Sequence, residues 1–209
     1  MSNKFIVFEG LDGSGKTTLS RMYYDWLLKQ GIDAVLITNG YPMIDSALRE
    51  LKSDRTHYDI RAHFLLALSN SIMTYKTEIE PNINNGKVVI LDRYYFTTLA
   101  YNIALGLNEN WAKNVALIIP KPDQVIFCNA SMNKLLERKI QKFEDIELGF
   151  STDPNRRASF INYQSSVRYQ YNKLIKEDPS LFTLIDTNQS LEKSFEEIKQ
   201  FDNNRRKIL

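Results

Sequence analysis

Gly10-Leu11-Asp12-Gly13-Ser14-Gly15-Lys16-Thr17-Thr18 sets three glycines, three hydroxyl side chains and one lysine into nine consecutive positions. Glycines at this spacing let successive main-chain N–H groups turn inward and face anionic oxygens with no side chain in between. A lysine at the end of such a loop reaches terminal phosphates, and the hydroxyl beside it suits Mg²⁺. Gly10 to Thr18 therefore reads as a loop that holds a nucleoside triphosphate, with Thr17 as a metal ligand. A second group of residues follows in "VVILDRYYFTTLAYN". Asp92 ends an apolar run, where a carboxylate is costly unless it meets charge or a donor. It is expected to join the Mg²⁺ shell, with Arg93 beside it clamping phosphate.

Both groups need a scaffold that ends strands at one edge. "KFIVFEG", "DAVLIT", "KVVILDR", "DQVIFCN" and "LFTLIDT" read as five strands, apolar through their middles. Continuous apolar runs suit strands buried on both faces, hence a parallel sheet. Helical patterns lie between them, at 16–29, 58–84, 97–104, 108–118, 133–142 and 155–176, with a last one at 191–199. Pro81 is expected to kink or end the second, and Gly31 and Gly86 to stand just past helix ends. The alternation predicts an α/β doubly wound sheet with its ligands at the carboxyl ends of the strands.

At 209 residues, 25% charged and 43% hydrophobic, the chain fits one globular domain spanning 1–209. A formal net charge of +2 gives no footprint for nucleic acid. No run approaches a membrane span, and "MSNKFIVFEG" lacks the pattern of a signal peptide. The lone Cys128 sits in an apolar strand and reads as a core residue in a reducing, cytoplasmic setting. His57 and His63 have no companions at metal-ligand spacing and read as core or surface residues.

Taken in order, "FEGLDGSGKTT", Asp92-Arg93-Tyr94 with Ala100-Tyr101, "KPDQVIF" followed by "LLERKIQK", "FINYQSSVRYQYNKL" and "TLIDTNQSLEKSFEEI" resemble the thymidylate kinase family, from about residue 3 to about residue 199. The resemblance implies a three-layer P-loop nucleoside-monophosphate kinase fold, with a five-stranded parallel sheet flanked by helices and a mobile lid at about 139–157. It implies ATP and Mg²⁺, transfer of the γ-phosphoryl group to a deoxynucleoside monophosphate, most of all dTMP, and a possible homodimer. By the same resemblance Asp12 lies near the acceptor sugar and Arg93 contacts the acceptor phosphate. Thr97 and Thr98 line the base pocket, and Tyr101 lies under the sugar. The loop carries Gly13-Ser14 and no basic residue, so charge is expected from the lid side, from Arg138, Lys139, Lys142, Arg156 and Arg157, with Arg138 the catalytic candidate.

The acceptor side departs from the family. After the second strand the chain reads Thr38-Asn39-Gly40-Tyr41-Pro42, which keeps Tyr41-Pro42 and lacks the family's nearby arginine. In the third helix the family has a base-stacking Phe and, four residues on, a base-reading Arg. "FLLALSNSIMTY" has no Arg in any register, and the nearest match puts Leu66 and Asn70 at those places. Arg49 and Arg61 are candidates to replace the lost phosphate contact. The departures leave two further readings open: another nucleotide, nucleoside or small metabolite as acceptor, or a nucleotide-binding sensor or adaptor.

Overall fold

The computed structural model describes residues 5–53, 56–139 and 143–207. Five strands, β1 (Phe5–Gly10), β2 (Ala34–Ile37), β3 (Val88–Asp92), β4 (Gln124–Asn129) and β5 (Phe182–Asp186), form one parallel sheet in the order β2-β3-β1-β4-β5. All six residues of β1 are buried. Side chains alternate between sheet faces, so β1 feeds two cores. Phe5 and Val7 join Val89, Leu91, Val125 and Phe127 on one face; Ile6 and Phe8 join Ile90, Ile126 and Cys128 on the other.

The second face is covered by α1 (Lys16–Lys29), through Leu19, Tyr23 and Leu27, and by Ile198 of α9 (Leu191–Lys207). The first face is covered by Phe64 and Leu68 of α3 (Ile60–Thr74), Leu99 of α5 (Tyr95–Ala104) and Val167 and Tyr171 of α8 (Arg156–Glu177). The result is the expected three-layer α/β fold. The remaining helices are α2 (Pro42–Ser53), α4 (Glu80–Asn84), α6 (Glu109–Ala116) and α7 (Met132–Arg138).

Gly31 and Gly86 lie just past α1 and α4 with φ of 74° and 85°, the left-handed conformation that ends a helix at low cost to glycine. The 58–84 pattern is not one helix. α3 runs into a π-helical turn, Tyr75–Ile79, and then into α4, with the Glu80 N–H bonded five residues back to the Tyr75 carbonyl. Pro81 has no N–H and its ring crowds the carbonyl four residues earlier; the wider turn just before it relieves that crowding. One helix and several boundaries differ from expectation. α2 was not anticipated, α7 ends at Arg138, and α9 continues to Lys207. The sheet order reverses at β1, whose neighbours are β3 and β4, and Phe8 lies opposite Asp92. The carboxyl ends of β1 and β3 therefore emerge side by side.

Candidate active site

Residues 10–18 bridge β1 and α1. A Cβ on Gly10, where φ is 149°, would stand 2.6 Å from Ser14 Oγ and 2.8 Å from the Cys128 carbonyl oxygen, so only glycine fits beside β4. Gly15, with φ of 92°, leads the chain into α1 with no side chain capping the helix and no acidic residue in its first turn. The first N–H groups of α1 are thus left for an anionic ligand. Lys16 curls over the loop, its Nζ donating to the Leu11 carbonyl at 3.5 Å and lying 3.9 Å from Asp12. Burial and the nearby Arg93 guanidinium bring its pKa down to about 8. Thr17 and Thr18 are exposed at the start of the helix.

Asp92, at the end of β3, has a buried Oδ1 with no hydrogen-bond partner. A buried oxygen of this kind and the Thr17 hydroxyl are hard donors of the type Mg²⁺ takes, alongside phosphate oxygens and water. Among the described residues no three or more His, Cys, Asp or Glu side chains are grouped so as to hold a metal ion by themselves. The residues therefore fit a cation held partly by its nucleotide, and not an all-protein metal cage.

Between loop and cleft lies a tightly connected node. Arg93 takes the left-handed conformation, φ 72°, unusual for a non-glycine residue. Its N–H bonds to the Phe8 carbonyl at 3.0 Å, and the next N–H, of Tyr94, donates to Glu9 Oε1 at 2.8 Å. The guanidinium pairs with Asp12 Oδ1 and donates to Thr97 Oγ1 at 3.1 Å and the Gly10 carbonyl at 3.3 Å. Tyr101 donates its hydroxyl to Asp12 Oδ2 at 2.8 Å and lies with its ring 5.7 Å from the guanidinium carbon. Burial raises the Asp12 pKa, but Arg93, Lys16 and the Tyr101 hydroxyl outweigh it and hold the carboxyl below its usual value.

Glu9 underpins this node and was not singled out in the sequence. It is fully buried at the end of β1 and accepts from Tyr94 N, Thr97 Oγ1 (2.6 Å) and Tyr171 OH (2.7 Å). Burial pushes its pKa up. A charged residue inside the apolar run "KFIVFEG" was the available signal. Thr97, bonded to Glu9 and Arg93, supports the arginine from below.

Beside the node opens a cleft of about 380 Å³. Asp12 and Arg93 form one end. Thr97, Thr98, Tyr101 and Asn102 of α5 line one wall; His63, Ala67, Asn70, Ser71 and Thr74 of α3 line the other, and Asp45, Leu48 and Lys52 of α2 close over it. Leu66 and Tyr41 are not among the lining residues. One turn of α3 is filled by His63 and Ala67 instead, and Gly40 and Asn39 stand where Tyr41 was expected.

Asn70 lines the cleft but is committed elsewhere. Its Nδ2 donates to Asp45 Oδ1 at 2.6 Å, and its Oδ1 accepts from Tyr41 N at 2.7 Å. Asp45 Oδ2 in turn accepts from Gly40 N at 3.1 Å. The amide thus ties α3 to α2 and the 38–41 loop, and a Cβ on Gly40 would stand 2.1 Å from its Nδ2. Of the cations considered as replacements, Arg61 is exposed and forks onto Asp59 at 2.6 and 3.1 Å, and Arg49 is exposed; neither lines the cleft. Lys52 does, on the helix that the sequence did not reveal. Lys52 is itself solvent-exposed; partial desolvation and then the Arg93 charge lower its pKa.

The lid-side cations fall into separate groups. Arg138 donates to the Gly13 carbonyl at 3.2 Å and to the Thr187 carbonyl at 2.7 Å, which holds it against the loop. Lys139 pairs with Glu147 beside the short 3₁₀ turn Asp145–Leu148. Arg156 donates to the Phe143 carbonyl at 2.6 Å and to Asp145 at 3.2 Å. Arg157 is exposed, and Lys142 lies outside the described residues.

The family model described as "Thymidylate kinase" matches residues 8–198. The chain is 32% identical over 188 residues to the probable thymidylate kinase of Pyrococcus horikoshii, covering 87% of each chain. It is 30% identical over 204 residues to the thymidylate kinase of a Thermoanaerobacter species, covering 95% of this chain and 96% of the relative. It is 32% identical over 177 residues to probable thymidylate kinase 1 of Saccharolobus solfataricus, covering 83% and 84%.

Proposed function

Because the chain belongs to the thymidylate kinase family, we propose that it transfers the γ-phosphoryl group of ATP to a deoxynucleoside monophosphate, dTMP first among them. The observation that carries this reading is Arg93. It reaches the Gly10 carbonyl of the loop on one side and lines the cleft on the other, so one guanidinium joins loop and cleft. In the reaction an oxygen of the acceptor phosphate bonds to the γ-phosphorus as the bond to the β,γ-bridging oxygen breaks, and its electron pair leaves with ADP. Little covalent work falls to the protein, so its residues position and neutralise charge.

In this reading the N–H groups of residues 13–18 and Lys16 hold the β- and γ-phosphates of ATP. Thr17 and Asp92 hold Mg²⁺, which when bound offsets phosphate charge. Arg93 and Lys52 receive the acceptor phosphate, and Asp12 keeps Arg93 oriented. Tyr101, with its hydroxyl fixed on Asp12, packs against the sugar and disfavours a 2′-hydroxyl. Arg138 meets the transferring group from the loop's flank. The 139–157 connection acts as the lid, since Lys139 and Arg156 are paired with carboxylates that phosphate can displace. No helix among the described residues is long and apolar enough to cross a membrane, which suits a cytoplasmic enzyme acting on a small nucleotide.

The α3 wall favours a second reading of the acceptor. It presents His63, Ala67, Ser71 and Thr74 and no arginine, so base selection differs from the family pattern and another deoxynucleotide is a competing substrate. ADP formation from ATP with dTMP, dUMP, dCMP, dGMP, UMP and thymidine tests both. dTMP is expected to be best, by a margin well below the ~10⁴ that a dedicated donor can give. Turnover with none of them moves the assignment to a non-nucleotide acceptor or to a sensor.

A further inference from the structure

His63 sits on the α3 wall, 7% exposed, with Nδ1 2.9 Å from Asn102 Oδ1. The orientation of that amide is fixed, because Asn102 Nδ2 donates to the Thr98 carbonyl at 2.7 Å. Oδ1 only accepts, so Nδ1 carries the imidazole hydrogen. Burial lowers the pKa of the ring, and Lys52 across the cleft acts in the same direction against the Asn102 hydrogen bond, which raises it; the net lowering favours the neutral imidazole. Its remaining nitrogen, Nε2, then presents a lone pair. Nε2 is buried and has no hydrogen-bond partner. The ring of Tyr58, which does not line the cleft, flanks the imidazole at 5.6 Å, and the nearest lining residues further along α3 are Ala67 and the engaged Asn70.

Leaving a buried acceptor without a partner is costly, and the residue that carries this one lines the cleft that also contains Arg93, Thr98 and Tyr101. We propose that His63 reads the base of the acceptor, its Nε2 accepting a hydrogen bond from a protonated ring nitrogen. This deepens the nucleotide-kinase reading and rests on it. Thymine, uracil and guanine carry a hydrogen on the ring nitrogen of their pairing edge. Cytosine and adenine present a bare nitrogen there, which sets lone pair against lone pair. Asn102 is the positioning residue, since its carbonyl fixes the tautomer.

The test compares dTMP with N3-methyl-dTMP, in which the donor hydrogen is replaced by a methyl group. Wild-type enzyme is expected to lose at least about 100-fold in kcat/KM on methylation, because the partner is removed and Nε2 is left buried against carbon. His63→Ala removes the acceptor and opens space, and the ratio of the two substrates should fall to within about tenfold. His63→Gln places an amide carbonyl near the Nε2 position and should restore preference for dTMP. ATP affinity measured on each variant reports that the fold is retained. Equal use of both substrates by the wild-type enzyme overturns the role of His63 alone. So do variants that lower both substrates in parallel with the ratio unchanged. No transfer to dTMP by the wild-type enzyme overturns the proposed function, and this role with it.

Discussion

The loop of residues 10–18 presents main chain to its ligand, whereas the cleft beside it presents side chains drawn from α2, α3 and α5. In the loop, Gly10, Gly13 and Gly15 all have positive φ, and N–H groups and a helix start supply the donors. In the cleft, Lys52, His63, Asn70, Thr98 and Tyr101 come from segments far apart in the chain. A site made of backbone depends on shape, and few residues other than glycine can replace its parts. A site made of side chains changes ligand by changing one residue at a time. The two halves meet at Arg93, whose strained conformation is held by Glu9 and the Phe8 carbonyl.

The contrast breaks most sharply at Lys16. Lys16→Ala should reduce turnover about a hundred- to a thousand-fold, with thermal unfolding close to wild type; near wild-type turnover would remove the loop from the mechanism. Arg138→Ala should lower kcat by about tenfold or more while ATP affinity changes little, because contacts made mainly in the reacting state appear in the rate. Equal losses in both would make Arg138 a ground-state binding residue, which its present bonds to Gly13 and Thr187 would then explain.

Lys52→Met sharpens the acceptor half. We expect the KM for dTMP to rise by about tenfold, the scale of one charge-assisted hydrogen bond, with the KM for ATP unchanged. A shift in the ATP constant would place Lys52 on the donor side. The smallest effect belongs to Asn70→Ala, which unties α3 from α2 without touching the node. Initial rates should show the acceptor KM raised about threefold, and calorimetry a stability loss of roughly 1–2 kcal/mol. A loss of dTMP selectivity far beyond that would return Asn70 to the base-reading role.

How much of this was legible in the sequence follows the same division. The loop's residues are contiguous, and the five strands are apolar on both faces, so short-range pattern sufficed. α3 defeats pattern because it is apolar nearly all round. Phe64 and Leu68 serve the core while Ala67 and Ser71 serve the cleft, and only packing against the sheet sets that rotation. A slip of one residue exchanges Ala67 for Leu66, while Asn70 and Ser71 both reach the cleft. α2 escaped notice because it buries little, with Leu48 its only buried residue. His63 was read as core or surface, and it is buried; what the sequence withheld was Asn102, 39 positions away, which decides its tautomer.

The place of β1 at the centre of the sheet has a consequence for how the molecule comes into being. Its two neighbours are β3 and β4, with Ile6 set opposite Ile90 and Gln124. A chain leaving the ribosome amino end first must carry "KFIVFEG" without either partner until those segments have emerged. At cellular rates of synthesis the delay is on the order of ten seconds. The stretch most easily recognised on paper is therefore among the last to take shape, since Gly10 packs against the Cys128 carbonyl of β4 and the Gly10 and Gly13 carbonyls accept from Arg93 and Arg138. During that interval an apolar strand with both edges open is the segment most in need of a chaperone's protection.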